Sequence, residues 1–454
     1  MLTNTNSLLP TLAMAVAVSA CGSAEPLPDA AATPPDDAGP RDAALPDSGA
    51  GATEDAGTGA GADAGTDGGA PNVCGRTAPA PHASFPVTYD MSRIELVEAR
   101  MLTIEGASYR WSFYRNQAYR CGVEGYYSFV LLEPAEATVG SAPLWAHLHG
   151  GATGAYDEHG DYSCDCDSKQ RARDPAGSVA KWVEAEETGF EEVLLHRRLR
   201  EGWRVVLPHG CDHDLHSGIG NVYPHNPNWD APPDTVDGLL GAMAAIDYAA
   251  HGGPDGTGAS SPDIVVSGTS AGAAGAWSVT QAFRFAGVRL TAAVMDSYLL
   301  TTRLARLASA EDGEGQPLCR VPHRYFRIQG LIQDKIGPFV RDVELSVERN
   351  IDSLDVPLFD LTTDSDGQCC GDADELVAEA AAAGYDSNCA WLHGALSERI
   401  GPGSLHRVHV IPAMEPWRNH GILDSVDAEG HFIPQIEAFV AEAVARCDDR
   451  PFPD

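Results

Sequence analysis

The sequence predicts an α/β fold, a mostly parallel sheet flanked by helices, forming a single domain behind a disordered tether. Three observations carry that expectation. Short apolar runs ending in Gly, Pro or His recur after residue 125, helix-like stretches separate them, and residues 1–73 differ in composition from everything that follows. Near-continuous apolar strands alternating with helices are what a parallel sheet covered on both faces requires.

A length of 454 residues would allow three domains at roughly 150 each, but the amino-terminal segments reduce that count. Residues 1–21 carry no charged side chain, and Leu8 to Ala20 supply the short apolar stretch of an export signal. That stretch is too short for a comfortable membrane span. Val18-Ser19-Ala20-Cys21 is similar to the lipobox of bacterial lipoproteins, which makes Cys21 the expected site of acylation, although no Lys or Arg precedes it. Several acyl chains on one Cys would anchor the protein to a membrane, since a single chain binds only marginally. Residues 22–73 contain no aromatic side chain and are rich in Ala, Gly, Pro and Asp. Such a segment cannot bury enough apolar surface to offset its ordering entropy and reads as a disordered tether.

Charge divides along the same boundary. The whole chain has a net charge of −35; the tether's ten acidic residues and Arg41 leave 55 acidic and 29 basic residues, a net of −26, on 74–454. This balance excludes nucleic acid as a partner, because phosphate neutralisation needs Lys and Arg in excess. The ten cysteines after Cys21 all lie beyond the tether, an even number suited to disulfides in an oxidising compartment. Cys164-Asp165-Cys166 and Cys369-Cys370 are the rival zinc signal, weakened by the lack of paired CxxC spacing. No metal or other cofactor is therefore expected.

Within 74–454, strands are expected at 126–134, 143–149, 203–208, 263–267, 287–295, 324–332 and 405–412, with antiparallel leading strands near 94–104 and 109–115. Helices are expected at 234–250, with Asp234 or Thr235 as N-cap, at 271–286, and at 433–446.

The chemistry-bearing motif is Gly268-Thr269-Ser270-Ala271-Gly272, which follows the apolar run Ile264-Val265-Val266 and precedes a helix. A strand-to-helix turn that displays a nucleophilic serine needs small neighbours because its backbone is tight, and this context predicts the α/β-hydrolase fold. The oxyanion hole is expected from the backbone amides of Ala271 and of Gly150 or Gly151, since His149-Gly150-Gly151 ends an earlier strand. His149 reads as holding that loop. The triad partners follow in the order Ser, acid, His. Asp334, after the expected strand 324–332, is the first choice of acid, with Asp296 as competitor; His420, after the last strand, is the base, with His431 as runner-up.

Several segments resemble one family, the pectin acetylesterases and the related Notum-like carboxylesterases. The resemblance spans roughly 143–430 and rests on Trp145-Ala146-His147-Leu148-His149 with its Gly loop, on 206–218 (VLPHGCDHDLHSG), on Asp237-Gly238-Leu239-Leu240, and on Ser-Gly-Thr-Ser-Ala-Gly. Thr269 stands where the family usually has Cys, Ala273 where a second Gly usually follows, and Ala152 where the loop is usually a third Gly. By position the family's Ser, Asp and His fall on Ser270, Asp334 and His420. With the export expected from residues 1–21, the resemblance implies an ester hydrolase that deacetylates an acetylated polysaccharide.

Substrate choice is less legible. A bare polyuronate would be repelled by a net charge of −26 unless Arg171, Arg173 or Arg418 gathered at the cleft. Trp203, Trp229, Trp277 and Trp417 could line an acyl or sugar site but are more simply packing residues. The acidic run from Asp364 to Glu375 reads as a solvated loop rather than a calcium site. A serine peptidase or amidase, and a catalytically silent surface-binding protein of the same fold, are the competing functions.

Overall fold

A computed structural model describes residues 88–104, 106–119, 126–137, 140–150, 190–210, 214–222, 235–253, 261–286, 288–297, 303, 346–364, 366, 374–401, 404–412 and 432–448. All of them belong to the second of two units into which the chain divides, Asp67–Asp454. The signal, lipobox and tether expected at 1–73 lie outside the described residues.

Eleven strands are found among these residues: β1 (Ile94–Ile104), β2 (Ala107–Asn116), β3 (Tyr127–Pro134), β4 (Leu144–Leu148), β5 (Arg204–Pro208), β6 (Asn221–Val222), β7 (Thr235–Val236), β8 (Ile264–Thr269), β9 (Ala292–Asp296), β10 (Leu358–Thr363) and β11 (Arg407–Ile411). Nine of them form one sheet in the order β1-β2-β3-β5-β4-β8-β9-β10-β11, while β6 and β7 pair as a small separate ribbon. In the nine-stranded sheet the pairings β1-β2, β2-β3 and β3-β5 are antiparallel and the remaining five, from β5 through β4, β8, β9 and β10 to β11, are parallel; the β6-β7 ribbon is antiparallel.

The helices are α1 (Phe190–Arg200), α2 (Gly238–His251), α3 (Ala271–Ala286), α4 (Val347–Asn350), α5 (Asp374–Ala382), α6 (Asn388–Ser397) and α7 (Ile433–Asp448). Because side chains alternate across a strand, each central strand feeds two cores. Ile264 and Val266 of β8, with Leu144, Ala146 and Leu148 of β4, pack under α2 and α3; Val265 and Trp145 point the other way, into a cluster with Leu194 and Leu195 of α1 and Ile433, Ile436 and Phe439 of α7. Both faces of the parallel region are thus covered, as the near-continuous apolar runs require.

The sequence expectations hold for most elements, with four corrections. The strand expected at 287–295 begins only at Ala292, because Val288 still donates its N–H to the Phe283 carbonyl, closing the end of α3. The N-cap of α2 is Asp237, with no side-chain cap of its own, and Thr235 belongs to β7. Capping comes instead from a distant loop, where the Asp214 carboxylate accepts from the Gly238 N–H at 2.9 Å. The strand expected at 324–332 lies outside the described residues, and β10, which runs between β9 and β11, had no counterpart in the sequence reading. Finally, the acidic run is not a solvated loop throughout: Asp366 is fully buried, and Asp374 opens α5.

Asp360 explains why β10 was hidden. It interrupts the apolar run Leu358-Phe359-Asp360-Leu361, yet it is buried and paired with the imidazole Nδ1 of His393 on α6. A buried carboxylate is tolerable only when paired in this way.

Candidate active site

The carboxyl ends of the parallel strands are where an open α/β sheet gathers ligands, and two sequence motifs meet there. At the end of β8 the chain turns directly into α3, and Ser270 occupies the turn with φ of 54°. A left-handed non-glycine residue is uncommon and costs on the order of 1–3 kcal/mol, so the surrounding structure must enforce it. The enforcement is visible in the backbone. Ser270 donates its N–H to the Asp296 carbonyl of the neighbouring β9 at 2.8 Å, and its own carbonyl accepts from Ala273 and Ala274 to start α3.

Gly268 and Gly272 are sterically obligatory. A Cβ on Gly268 would run into the Gly272 carbonyl, and one on Gly272 would run into the carbonyl of Leu148 on β4. Helix α3 therefore packs backbone to backbone against the end of β4. Thr269 is buried while Ser270 and Ala271 remain partly accessible. The amides of Ala271 and Gly272, in the first turn of α3, have no intrahelical acceptor, and they mark the positive end of the helix dipole.

The glycine loop at the end of β4 reaches the same place. Gly150 sits so close to Ser270 that an added Cβ would lie 3.3 Å from the serine Cβ and 2.8 Å from the Thr269 carbonyl oxygen. His149 is buried and its Nδ1 lies 2.9 Å from the Gly150 carbonyl oxygen. Gly151, the alternative oxyanion donor, lies outside the described residues, as do Asp334, His420 and His431.

Two described acids lie at carboxyl ends of the strands beyond β8: Asp296 on the adjacent β9 and, one strand further, Asp364 after β10. Asp296 is fully buried at the end of β9, where its Oδ1 accepts from Ser297 Oγ at 2.7 Å. Asp364 directly follows β10 and is only partly buried; its N–H donates to the carbonyl of Ile411, the last residue of β11, at 2.8 Å. It thus stands at the mouth between the strand of Asp296 and the strand that leads to His420. In the sequence Asp364 shows only as the start of an acidic run. The signal that could have found it is Leu358 to Thr363, a six-residue run of strand-forming character preceded by Pro357, had one buried charge been allowed for.

Other readings resolve into structure. Trp277 is buried under the sheet and Trp203 packs edge-on against Trp145 with ring centroids 5.7 Å apart, so both are core residues. Trp229, Trp417, Arg171, Arg173 and Arg418 lie outside the described residues. His406 accepts from the Leu358 N–H through Nδ1 at 3.1 Å and reaches the Leu354 carbonyl through Nε2 at 3.1 Å; burial lowers its pKa to about 4, holding it neutral. His409, on β11, is also lowered by burial. Among the described residues no group of three or more His, Cys, Asp or Glu is placed to hold a metal ion; Cys164, Cys166, Cys369 and Cys370 lie outside them.

Strand order, a left-handed serine between β8 and α3, and a glycine loop ending the adjacent β4 together define an α/β-hydrolase fold. No model of a known protein family matches the chain, and no curated protein matches it. Among solved structures it is similar to a bacterial heroin esterase (16% identity, 79% of this chain and 85% of the other, TM-score 0.36). It is also similar to a thermostable esterase from Pseudomonas putida ECU1011 (16%, 80% and 85%, 0.33) and to a hyperthermophilic esterase from the archaeon Pyrobaculum calidifontis (14%, 79% and 88%, 0.34).

Proposed function

We propose that the protein is a serine carboxylesterase, exported and held at the cell envelope by a lipid on Cys21, that deacetylates an acetylated polysaccharide in the manner of the pectin acetylesterases. The observation that carries the reaction class is the left-handed Ser270 with Gly150 packed at its shoulder. His420 deprotonates Ser270, whose Oγ attacks the ester carbonyl; the oxyanion is received by the amides of Ala271 and of Gly150 or Gly151. The protonated His420 gives its proton to the departing sugar oxygen, and water, deprotonated by the same imidazole, releases acetate from the acyl-enzyme.

The acid that fixes the His420 tautomer is Asp364 in this proposal. Asp334, the choice from sequence, remains the second reading, and Asp296 the third. Asp364 is favoured because it directly follows β10 and its amide is bonded to the last residue of β11, the strand that leads to His420; all three aspartates satisfy the order Ser, acid, His.

Export is supported by the apolar segment before Cys21, by the ten further cysteines, and by Cys389, which is buried and disulfide-bonded. None of the described helices is long and apolar enough to cross a membrane. A net charge of −26 on 74–454 favours a neutral acetylated glycan over a bare polyuronate.

The test is acetate release from acetylated xylan, chitin and pectin beside a peptide panel, for the wild type and Ser270→Ala. Acetate release that vanishes in the variant is the expected result. Peptide cleavage without ester cleavage would make the chain a peptidase. No turnover and no fluorophosphonate labelling of Ser270 would make it a binding protein.

A further inference from the structure

Behind the glycine loop the structure stacks two buried imidazoles that the proposed reaction does not use. A carbonyl can only accept, so the 2.9 Å contact between His149 Nδ1 and the Gly150 oxygen puts the proton on Nδ1. The Gly210 N–H approaches His149 Nε2 at 3.5 Å, a long contact that calls for a lone pair there and agrees with the same tautomer. Because this bond runs from the His149 side chain to the carbonyl of the next residue, it closes a local ring that restrains the backbone torsions on both sides of the Gly150 N–H.

The second imidazole, His216, lies against the first, with ring centroids 6.1 Å apart and planes at 84°, the edge-on arrangement aromatic rings prefer. Its opposite side rests on α3. A Cβ on Gly275 would come within 2.7 Å of the His216 Cβ and 3.0 Å of its ring. His216 is therefore a wedge between the helix that carries Ser270 at its start and the histidine that carries Gly150.

The wedge is held under strain. Leu215 and His216 both have left-handed backbones, at φ of 57° and 54°. Asp214 fastens them: Oδ1 accepts from the His216 N–H at 2.9 Å, and Oδ2 from the Gly218 and Gly238 N–H groups at 2.8 and 2.9 Å. Ser217 Oγ adds a bond to the Leu215 carbonyl at 3.0 Å. Two adjacent strained residues braced in this way belong to a functional wall more readily than to a simple connection.

We propose that His149 and His216 are a coupled pair of positioning residues, which set the glycine loop against the nucleophile helix and so align the oxyanion-binding amides. In this proposal both act through the loop and the helix. The inference rests on the serine-hydrolase reading and goes beyond it, because it assigns a task to the 214–218 loop.

The test measures kcat, KM and thermal midpoint on a small acetyl ester for His149→Ala, His216→Asn and the double variant. Asn tolerates the left-handed backbone at 216 but lacks the ring. Misaligned oxyanion donors act on the transition state, so kcat falls by about 10–100-fold with KM within about 2-fold of wild type. The double variant is no worse than His149→Ala, since both lose the same alignment. His149→Asn, whose amide can donate to the Gly150 carbonyl, and His216→Phe, which keeps a ring, each recover part of the loss; they also serve if the first variants do not fold. Wild-type kcat in the variants, or losses that multiply in the double variant, overturn the proposal alone. A wild-type chain no more active than Ser270→Ala overturns the serine-hydrolase reading and this proposal together.

Discussion

The two flanks of β8 are made of different materials. Toward β4 the structure packs backbone against backbone, with Gly272 on the Leu148 carbonyl, Gly268 on Gly272, and Gly150 on Thr269 and Ser270. Toward β10 and β11 the packing depends on polar side chains taken out of water: Asp360 with His393, Asp366 beside Thr362, and His406 spanning Leu354 and Leu358. The first flank places Ser270, the proposed nucleophile, by steric exclusion, which is rigid and insensitive to pH. The second sets the course of β10, and with it the position of Asp364, the proposed acid, through buried side-chain hydrogen bonds.

The largest expected break in this contrast is at the acid. Asp364→Asn should lower kcat by about 10⁴-fold, the loss seen when a triad acid becomes an amide and the imidazole takes the wrong tautomer. Asp334→Asn and Asp296→Asn should stay within about 10-fold if the strand order has placed the acid correctly. Esterase kinetics on the three variants decides, and a 10⁴-fold loss confined to Asp334→Asn restores the choice made from sequence.

Next is the buried pair. His393→Ala leaves Asp360 without its imidazole, and losing one partner of a buried ionisable pair costs about 3–5 kcal/mol. Replacing both by Leu should be far milder. Urea unfolding of the two variants measures the difference, and equal losses would mean that the pair is not the source of the stability.

On the steric flank, Gly272→Ala should cost about 3 kcal/mol, the upper range for overpacking, because the neighbour is backbone that cannot rotate away. The loss should be the same at pH 5 and pH 7. A stability unchanged from wild type would show that α3 can lift from β4.

The smallest effect is graded with pH. The pKa of His406 is lowered to about 4 from 6.5 by burial, so the unfolded chain takes up a proton that the folded chain refuses. Its stability contribution is complete above about pH 6.5 and is lost as the pH falls towards 4, by up to roughly 3 kcal/mol. His406→Gln should flatten the dependence of unfolding free energy on pH within that window. An unchanged slope would assign acid sensitivity to other groups.

These flanks also differ in how well the sequence showed them. Everything on the steric side was readable, because glycine and alanine around a serine, at the end of an apolar run and before a helix, are local signals. Ser270, Ala271 and Gly150 lie where their motifs put them, and α3 has the expected bounds 271–286. On the polar side β10 was missed altogether. Nothing local distinguishes a buried Asp360 from a solvated one; only His393, 33 residues further on, does so.

The sequence by itself determined the alternation of strand and helix, the turn that displays Ser270 and the glycine loop beside it, since each follows from backbone sterics within a few residues. Tertiary structure decided which strand lies next to β9, and hence which aspartate stands near the end of β11. It also decided that His216, 54 residues before Ser270, sits against α3. Those outcomes depend on which polar groups find partners when the chain closes, and partners distant in sequence leave no local trace.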